Sequence, residues 1–318
     1  MKLRICHLYG NLLNTYGDNG NLLMLQYLAR QKGLEVETTL VSLKDPFIAD
    51  DFDLLFIGGG QDHEQKVIAK DLPSKRDELV KYIERGGVGL AICGGYQLVG
   101  QYYETAHGEK IQGLGALPHY TLHQENLQRF IGDIEIVNDE FGETYLGFEN
   151  HNGRTFLGEG EKPLGTVVSG HGNNGEDGGE GAIYKNMFCS YFHGPLLVRN
   201  RHLAERLIDT AVKQKEKLED KLSMTNELAQ LGISVEIIDH EFNVLYAKMA
   251  QSVNFLRDYA GEHPEIQDIC SQLQISFQHM EANYKMLKPL YRTTRRQRTE
   301  FTGAYVLSGM QAFFSEKL

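Results

Sequence analysis

Residues 86–99 read GGVGLAICGGYQLV, an apolar strand that runs into Cys93 and then turns on Gly94 and Gly95. A strand, a sharp turn and a helix are the arrangement in which α/β enzymes present a nucleophile. Glycines at the turn allow backbone angles and close approaches that a Cβ would block. The first free N–H groups of the helix predicted from Tyr96 stabilise a thiolate, the form of cysteine that attacks carbonyl carbons. A buried, inert cysteine is the alternative for the same residue.

Composition limits the classes of protein to consider. The chain has 318 residues, 41% of them hydrophobic, which is enough for one large domain and a smaller one. Its formal net charge of −11 argues against a nucleic-acid partner. The four cysteines, at positions 6, 93, 189 and 270, lack the spacing of a metal site, so we expect no metal, no disulfide and a reducing compartment. Without a signal peptide or an apolar run of membrane-spanning length, the sequence predicts a cytoplasmic protein with no membrane span.

Strand-like and helix-like segments alternate along the first two-thirds of the chain. The apolar strands RICHLY, VETTLVSL, FDLLFIG and GVGLAIC are accompanied by helical patterns at residues 19–31 and 74–84. Such alternation is typical of an α/β fold with an open, mostly parallel sheet and helices on both faces. Beyond Gly113, short strands and turns predict an antiparallel sheet, then a strand that ends in His193 and a helix at 200–217. We therefore assign residues 1–217 to one domain.

The pattern changes near residue 216, where glycine nearly disappears and long helical periodicity begins. Apolar residues recur at steps of three and four over 228–256 and again over 266–287. Pro264 interrupts the pattern and is well placed to begin a helix. Residues 218–318 are therefore predicted to form a helical hairpin, in which the charged segment KEKLEDKL is either a linker or continuous helix. Its apolar stripes require burial, and we expect a homodimer through the hairpin.

A nucleophilic cysteine needs a histidine that the fold brings to it. Among the twelve histidines, His193 is distinctive because it ends an apolar strand and precedes Gly194 and Pro195. Ligands of open α/β sheets bind beyond the carboxyl ends of the strands, where both Cys93 and His193 would project. A histidine in a surface loop is equally compatible with this position alone.

Several motifs occur together in the order of a known family. The blocks LAICGGYQLVG and SYFHGP resemble a class I, triad-type glutamine amidotransferase, and more narrowly its cobyric-acid-synthase-like branch. The resemblance narrows to the glutaminase subunits of lipid II isoglutaminyl synthases of Gram-positive cell-wall synthesis through HLYGNLLNTYGDNGN (7–21), FIGGGQDHEQ (56–65), RFIGDI (129–134) and GFENHNGRT (147–155). It covers roughly residues 1–215.

This resemblance implies a reaction and its partners. The Cys93 thiolate would attack the side-chain amide of L-glutamine, while His193 protonates the leaving ammonia and then activates the water that hydrolyses the thioester. Backbone N–H groups of Gly60 and Gly94 would hold the developing oxyanion, and such donors are each worth about 3–4 kcal/mol. No cofactor is expected. In the family, ammonia passes to a Mur-ligase-like (MurT-like) synthetase subunit, which uses ATP to amidate D-glutamate of lipid II.

Further candidate residues are expected around the nucleophile, one of them through the resemblance and the others through their positions on the elbow helix and after the glycine loop. Arg129 matches a substrate-binding arginine whose fork suits the glutamine α-carboxylate, and a surface arginine at a strand start is the alternative. Gln97 would face the pocket or serve the structure. The residues that would line the rim of the site are Asp62, His63 and Gln65.

Other polar residues are interpreted as structural. Asp18 and Asn19 would make a turn and cap a helix. His151 precedes a turn and is interpreted as structural rather than as a competing base. Residues 172–181, GNNGEDGGEG, lack EF-hand spacing and are predicted to form a solvated loop near a partner surface.

One position departs from the family pattern. Many triad amidotransferases carry a glutamate two residues after the histidine, where this chain has Pro195. Another acid of the chain or a residue of the partner subunit must then orient His193, and the resemblance favours the partner. On either account we expect weak glutaminase activity from the chain alone.

The C-terminal tail, residues 218–318, carries a second resemblance. Residues 232–249 place His240 and Glu241 on a long helix and resemble the phosphoacceptor region of histidine kinases and related Hsp90-like ATPases. No glycine-rich nucleotide motif follows, so the chain cannot phosphorylate itself, and an amphipathic hairpin with an exposed histidine is the alternative. A natural fusion and a chimeric chain both stay open. The second hypothesis for function is therefore a dimerising helical interaction or signalling protein with an inert amidotransferase-like head.

Overall fold

The computed structural model describes residues 1–105, 108–123 and 128–296, without the side chains at 228, 231–238 and 286–296. Contacts within the chain divide it into two compact units, Met1–Glu219 and Asp220–Leu318. Across those described ranges, no helix is both long and apolar enough to cross a lipid bilayer.

The elements of the described residues are numbered here in chain order. The strands are β1 (Lys2–Leu8), β2 (Glu35–Val41), β3 (Leu54–Ile57), β4 (Val88–Ile92), β5 (Tyr102–Glu104), β6 (Lys110–Gln112), β7 (Tyr120–Leu122), β8 (Phe130–Asn138), β9 (Glu143–His151), β10 (Arg154–Phe156), β11 (Gly165–Ser169), β12 (Gly179–Glu180), β13 (Ala182–Tyr184), β14 (Met187–Ser190) and β15 (Phe192–His193). The α-helices are α1 (Asn19–Gln31), α2 (Asp62–Asp71), α3 (Arg76–Glu84), α4 (Gly94–Val99), α5 (Leu196–Arg199), α6 (Arg201–Ala260) and α7 (Gln267–Arg296).

Six strands form an open sheet in the order β13–β14–β4–β3–β1–β2. The strands from β14 to β2 are parallel, while β13 at the edge runs antiparallel to β14. Alternate residues of β3 enter two separate apolar cores, Leu55 and Ile57 on one face and Leu54 and Phe56 on the other. A strand buried on both faces is typical of a parallel sheet covered on both sides. The predicted α/β fold with an open, mostly parallel sheet and flanking helices is confirmed.

Two helices agree closely with the sequence pattern. α1 has the predicted bounds and buries an apolar face that includes Leu25 and Leu28. The helix predicted at 74–84 is a 3₁₀ turn at Leu72–Lys75 followed by α3.

Two other helices differ from the prediction. The sequence pattern predicts no helix where α2 lies. This polar helix buries few side chains, among them Ile68, and shows little apolar periodicity. α4 begins at Gly94 rather than at Tyr96. Cys93 therefore lies directly in front of the first helical residue.

The later part of the first unit is largely antiparallel, as its short strands and turns predict. A five-stranded sheet has the order β12–β11–β8–β9–β15, and a four-stranded sheet has the order β10–β7–β5–β6. The long hairpin of β8 and β9 pairs Phe130 with His151 at one end and Asn138 with Glu143 at the other.

The segment that carries His193 changes sheets. The sequence predicts a single strand there, but the chain forms β14 in the parallel sheet and then β15 in the antiparallel sheet. β14 pairs with β4, so that Ser190 lies opposite Ile92, the residue before Cys93. β15 pairs with β9, where His193 lies opposite Phe148. This step between sheets carries the histidine past the carboxyl end of β4.

Residues 172–181 are not the solvated loop that the sequence suggests. The middle of the segment is exposed, but Asn173 and Glu180 are completely buried. Glu180 accepts hydrogen bonds from the Tyr191 N–H at 2.7 Å and from the Ser190 hydroxyl at 3.2 Å. Burial raises the pKa of Glu180 to about 8, so this carboxyl is largely protonated at neutral pH.

The described part of the second unit is built from the portion of α6 that begins at Asp220 and from α7. α6 runs without interruption through the charged segment 215–222, which is therefore helix rather than linker. A 3₁₀ turn at Pro264–Ile266 precedes α7. Residues 297–318 of the predicted hairpin domain lie outside the described residues.

Aromatic pairs join the two helices of the tail. Phe242 stacks on Tyr284 with ring centroids 4.0 Å apart, and Tyr246 stacks on Phe277 at 4.8 Å. From the first pair to the second, the residue number increases on α6 and decreases on α7, so the two helices are antiparallel. The predicted pair of C-terminal helices is confirmed over the described part of the tail.

Candidate functional site

Cys93 occupies a sharp turn between β4 and α4. Its backbone has φ 48° and ψ −103°, a conformation that costs about 1–3 kcal/mol for a residue with a Cβ. The Cys93 N–H donates to the carbonyl of Ser190 at 2.9 Å, and the Gly95 N–H donates to the carbonyl of Gly58 at 3.2 Å. These bonds hold the turn in place from two neighbouring segments. Backbone strain that the fold maintains in this way is a feature of functional sites.

Gly59 lies where Cys93, His193 and Asp18 meet. A Cβ on Gly59 would stand 3.3 Å from the Cβ of Cys93, 3.3 Å from Cε1 of His193 and 2.9 Å from Oδ2 of Asp18. A side chain at this position would therefore force the Asp18 carboxylate to shift and crowd the other two residues. The cysteine and the histidine, far apart in sequence, thus flank a single glycine.

His193 is almost completely buried, with 1% of its surface exposed. The ring of Tyr16 lies edge-on against it, with ring centroids 4.8 Å apart. Burial would lower the pKa of His193, but the side chains of Asp18 and Cys93 outweigh burial and raise the pKa to about 9. A protonated imidazole beside a cysteine can stabilise a thiolate and give a proton to a leaving group.

The capping role expected for Asp18 is wrong. Asp18 precedes α1 at the capping position, yet its side chain makes no capping hydrogen bond. Its carboxylate is completely buried, with Oδ2 accepting the Gly59 N–H at 2.5 Å and Oδ1 lying 3.8 Å from Nδ1 of His193. The Asn19 N–H donates instead to the side chain of Asn14. Aspartate in front of a helix usually caps it, so the local pattern points to the wrong role.

Gly60 and Gly94, the expected oxyanion donors, lie side by side. A Cβ on Gly94 would stand 2.8 Å from the backbone nitrogen of Gly60. Within the described part of the chain neither N–H has a hydrogen-bond acceptor, whereas the Gly59 N–H is taken by Asp18. Two unoccupied N–H groups next to a thiol can bind a negatively charged oxygen.

A cavity of about 620 Å³ opens beside Cys93. Gln97 lines it from α4, and the Gln65 amide donates to Oε1 of Gln97 at 2.8 Å and to the carbonyl of Gly94 at 3.0 Å. Gln65 is buried, so it braces the wall of the cavity from α2 as well as lining it. The other rim residues expected from the sequence, Asp62 and His63, also line the cavity.

Arg129 lines the same cavity from just before β8. Its guanidinium donates to the side chain of Asn150 at 2.5 Å and to the Asn150 carbonyl at 3.2 Å. Asn150 in turn donates to the hydroxyl of Tyr16 at 2.8 Å. A polar chain therefore runs from the arginine to the ring that covers His193. Neither Asn150 nor Tyr16 has a local sequence pattern that marks it as part of a site.

His151 lines the cavity and is buried like His193, but its pKa is shifted in the opposite direction. Its ring stacks on Tyr191 with centroids 3.7 Å apart, and Nδ1 donates to the carbonyl of Gly153 at 2.9 Å. Burial lowers the pKa of His151 to about 3, so its ring is neutral. No group of three His, Cys, Asp or Glu residues in the described ranges is arranged to hold a metal ion.

Two protein-family models match separate parts of this chain. Residues 4–201 match the CobB/CobQ-like glutamine amidotransferase domain family, and residues 230–296 match the HEF_HK domain. The subunit GatD of a lipid II isoglutaminyl synthase (glutamine-hydrolyzing) from Streptococcus pneumoniae is 56% identical over 75% of this chain and 91% of its own length. The GatD subunit from Staphylococcus aureus is 41% identical over 67% of this chain and 86% of its own length. A crystal structure of a glutamine amidotransferase matches 65% of this chain and 98% of its own, at 17% identity and a TM-score of 0.45.

The pKa values of the two buried histidines should be shifted in opposite directions from the ordinary value of 6.5. In an NMR titration of the full chain, the His193 ring should lose its proton near pH 9, whereas the His151 ring should stay neutral down to about pH 3. Single His193→Gln and His151→Gln variants assign the two signals. A His193 ring that titrates at or below its ordinary value of 6.5 contradicts the geometry described above.

Proposed function

The chain belongs to the CobB/CobQ-like glutamine amidotransferase family, and we propose that it is the glutamine-hydrolysing subunit of a lipid II isoglutaminyl synthase. The observation that carries the proposal is Cys93 on its strained turn, with a buried and protonated His193 across Gly59. A cysteine held in this way is suited to covalent catalysis on an amide. The sequence similarity to GatD subunits supports glutamine as the amide.

Glutamine binds in the cavity beside Cys93 with its α-carboxylate on Arg129. This guanidinium is exposed to the cavity, and its hydrogen bonds go to Asn150 rather than to a carboxylate of the described residues. A planar fork with unused donors is well matched to a carboxylate. Gln97, fixed by Gln65, contributes a polar wall of the same cavity.

The first half of the reaction forms a thioester. The Cys93 sulfur attacks the side-chain carbonyl carbon, and the carbonyl oxygen takes up negative charge between the Gly60 and Gly94 N–H groups. When the C–N bond breaks, the His193 imidazolium gives its proton to the departing nitrogen, which leaves as ammonia. Donors that already point at the developing charge need no rearrangement, which is why they lower the barrier.

The second half returns the enzyme to its starting state. Neutral His193 takes a proton from a water molecule, and the water oxygen attacks the thioester carbon. The C–S bond breaks, glutamate leaves, and Cys93 and His193 are again an ion pair. One histidine thus acts as acid and then as base.

The ammonia is passed to a second subunit. The similar GatD proteins are named as subunits of a glutamine-hydrolysing synthase, so a separate subunit must carry the ligase reaction. We infer that this partner is a Mur-ligase-like synthetase that uses ATP to amidate D-glutamate of lipid II. Glutaminase activity of the chain alone is expected to be weak and to rise when the partner is added.

Replacement of the nucleophile tests the proposal directly. Cys93→Ala should reduce glutamate release from glutamine at least about a thousandfold, with and without the Mur-ligase-like partner, and leave the thermal unfolding temperature nearly unchanged. Cys270→Ala removes the other half-buried thiol and should keep full activity. Glutamate release that survives in Cys93→Ala, or is absent from the wild-type complex, contradicts the proposal.

Substitution of Arg129 tests the orientation of glutamine. Arg129→Ala should raise KM for glutamine about tenfold or more with a smaller effect on kcat, because a charged pair to the substrate carboxylate is lost. Arg129→Lys keeps the charge but loses the fork, so its KM should lie between those of wild type and Arg129→Ala. An unchanged KM in both variants would assign Arg129 to the surface instead.

We further propose that the tail forms a homodimer. A homodimer is also the feature on which the second hypothesis for function, a dimerising helical interaction protein, depends. Leu245 and Met249 on α6 and Ile269 and Leu273 on α7 are each at least 40% exposed, although they belong to the apolar stripes. Apolar side chains four positions apart form a continuous strip on a helix, and such strips are covered in helical bundles. The match to the HEF_HK domain covers residues 230–296 and therefore lies entirely within the tail.

Light scattering on the full chain tests the dimer. The wild-type chain should have twice the monomer mass, and Leu245→Glu combined with Ile269→Glu should have the monomer mass. Lys248→Glu changes the charge of an exposed polar position on the same helix and should stay dimeric. A monomeric wild-type chain, or a dimer that survives the double substitution, contradicts the proposal.

A further inference from the structure

We propose that Arg154 is a positioning residue for Arg129, the side chain to which the proposed function assigns the α-carboxylate of glutamine. The inference rests on that proposed function and deepens it, because it concerns how the substrate-binding arginine is held. Arg154 begins β10, and only 1% of its surface is exposed. Burial of a guanidinium is costly unless its donors are used, so the contacts of this side chain indicate its role.

Arg154 contacts both neighbours of Arg129 in the chain. Its Nη2 donates to the carbonyl of Gln128, the residue before Arg129, at 2.7 Å. The Cζ atom of the same guanidinium lies 3.4 Å from the ring centre of Phe130, the residue after Arg129. A flat guanidinium can stack on an aromatic ring and donate hydrogen bonds from its edge at the same time. The backbone that carries Arg129 is therefore held from both sides.

The other terminal nitrogen of Arg154 holds a second segment of the cavity. Nη1 donates to the carbonyl of Asn152 at 3.0 Å. Asn152 and Gly153 line the same cavity as Arg129, and a Cβ on Gly153 would stand 2.7 Å from Nε2 of Gln97. One buried side chain thus joins the segment before β8 to the turn between β9 and β10.

The ring on which Arg154 lies is itself fixed by other groups. His171 stacks on Phe130 with ring centroids 4.3 Å apart, and Nδ1 of His171 lies 2.5 Å from Oε1 of the buried Glu149. A Cβ on Gly175 would stand 2.8 Å from Cζ of Phe130, so the chain also passes close to the end of the ring. Phe130 is therefore a firm support for the residues that precede β8.

Arg129 needs such support because of where it lies. It is an exposed residue just before β8, and its guanidinium donates to Asn150. Ordering a long side chain and its backbone at the moment of binding costs conformational entropy and weakens affinity. Arg154 orders the backbone in advance, so its loss should weaken glutamine binding more than it slows turnover.

The first test is hydrogen exchange, followed by mass spectrometry, on the full chain without glutamine. Arg154→Met keeps a long apolar side chain but loses the hydrogen bonds, so amides at residues 128–131 should exchange about tenfold faster than in wild type. Exchange at 128–131 that equals that of wild type would overturn the inference. Because no glutamine is present, this result separates failure of the inference from failure of the proposed function.

Arg85→Met is the matched control for the exchange measurement. Arg85 also lies over an aromatic ring, that of Tyr82, and donates to the carbonyl of Ala49. It is not among the described residues that line the cavity. Arg85→Met should therefore leave exchange at residues 128–131 and KM for glutamine as in wild type, and faster exchange there in both variants would overturn the inference.

The second test is kinetic and repeats each substitution in the Arg129→Ala background. Arg154→Met should raise KM for glutamine about fivefold and keep kcat within about twofold of wild type. In Arg129→Ala it should leave KM unchanged, because the side chain that Arg154 positions is then gone. A KM that does not rise, or that rises equally with and without Arg129, would overturn the inference.

Arg154→Lys keeps the charge but loses the flat fork, so it is the conservative variant at this position. Its KM for glutamine should lie between those of wild type and Arg154→Met, and this increase should also vanish in Arg129→Ala. The lysine variant decides the matter if Arg154→Met does not fold. A wild-type KM in Arg154→Lys, or an effect on kcat alone, would overturn the inference.

Discussion

The close approach of four chain segments around Gly59 is the constraint on which the site depends. The carboxyl ends of β3 and β4 bring the glycine loop and Cys93 to one edge of the sheet, and the start of α1 brings Asp18 there. The step from β14 to β15 adds His193. A Cβ on Gly59 would contact Asp18, Cys93 and His193 at 2.9–3.3 Å, so any other residue here would displace the Asp18 carboxylate and press on the other two side chains. The parallel register of β4 and β14 holds the arrangement, because Ser190 accepts the N–H of Cys93.

Electrostatics explain why His193 can be both buried and charged. Burial opposes the imidazolium, and the side chains of Asp18 and Cys93 more than offset that cost. For His151, burial is the largest cause of the lowered pKa, and the nearby positive charges of Arg154, His193 and Arg129 lower it further. The opposite pKa shifts of these two buried histidines therefore come from the groups around them rather than from exposure. The histidine beside the cysteine is the one suited to move a proton.

Much of the fold is predictable from the sequence because its cause is local. Apolar strands ending in glycines predict the parallel sheet, and the periodicity over residues 19–31 predicts α1 with its bounds. α2 is missed because a polar helix with few buried residues has little periodicity. The burial of Glu180 is missed for a different reason: a glycine-rich segment looks solvated, and only packing against β14 reveals that its end is enclosed.

The residues of the candidate site also divide into those that a local sequence pattern marks and those that only tertiary contacts bring together. Cys93 and the glycines around it are visible in the sequence, since a strand followed by a turn on glycines is a local pattern. Asp18 is not, because its contact with His193 joins positions far apart in sequence, and its local context is that of a helix cap. Tyr16 and Asn150 also acquire a role through tertiary contacts alone. Long-range contacts of single polar residues are the part of this site that sequence patterns do not contain.

We propose that the Cys93 sulfur is the atom to which the substrate becomes covalently attached. The most direct measurement is peptide mass spectrometry on the chain mixed with glutamine and quenched rapidly in acid, which preserves thioesters. The account predicts a γ-glutamyl group on the peptide that contains Cys93, and none on that peptide in Cys93→Ala. Glutamate formed without any such adduct, or an adduct on Cys6, Cys189 or Cys270 instead, would contradict it.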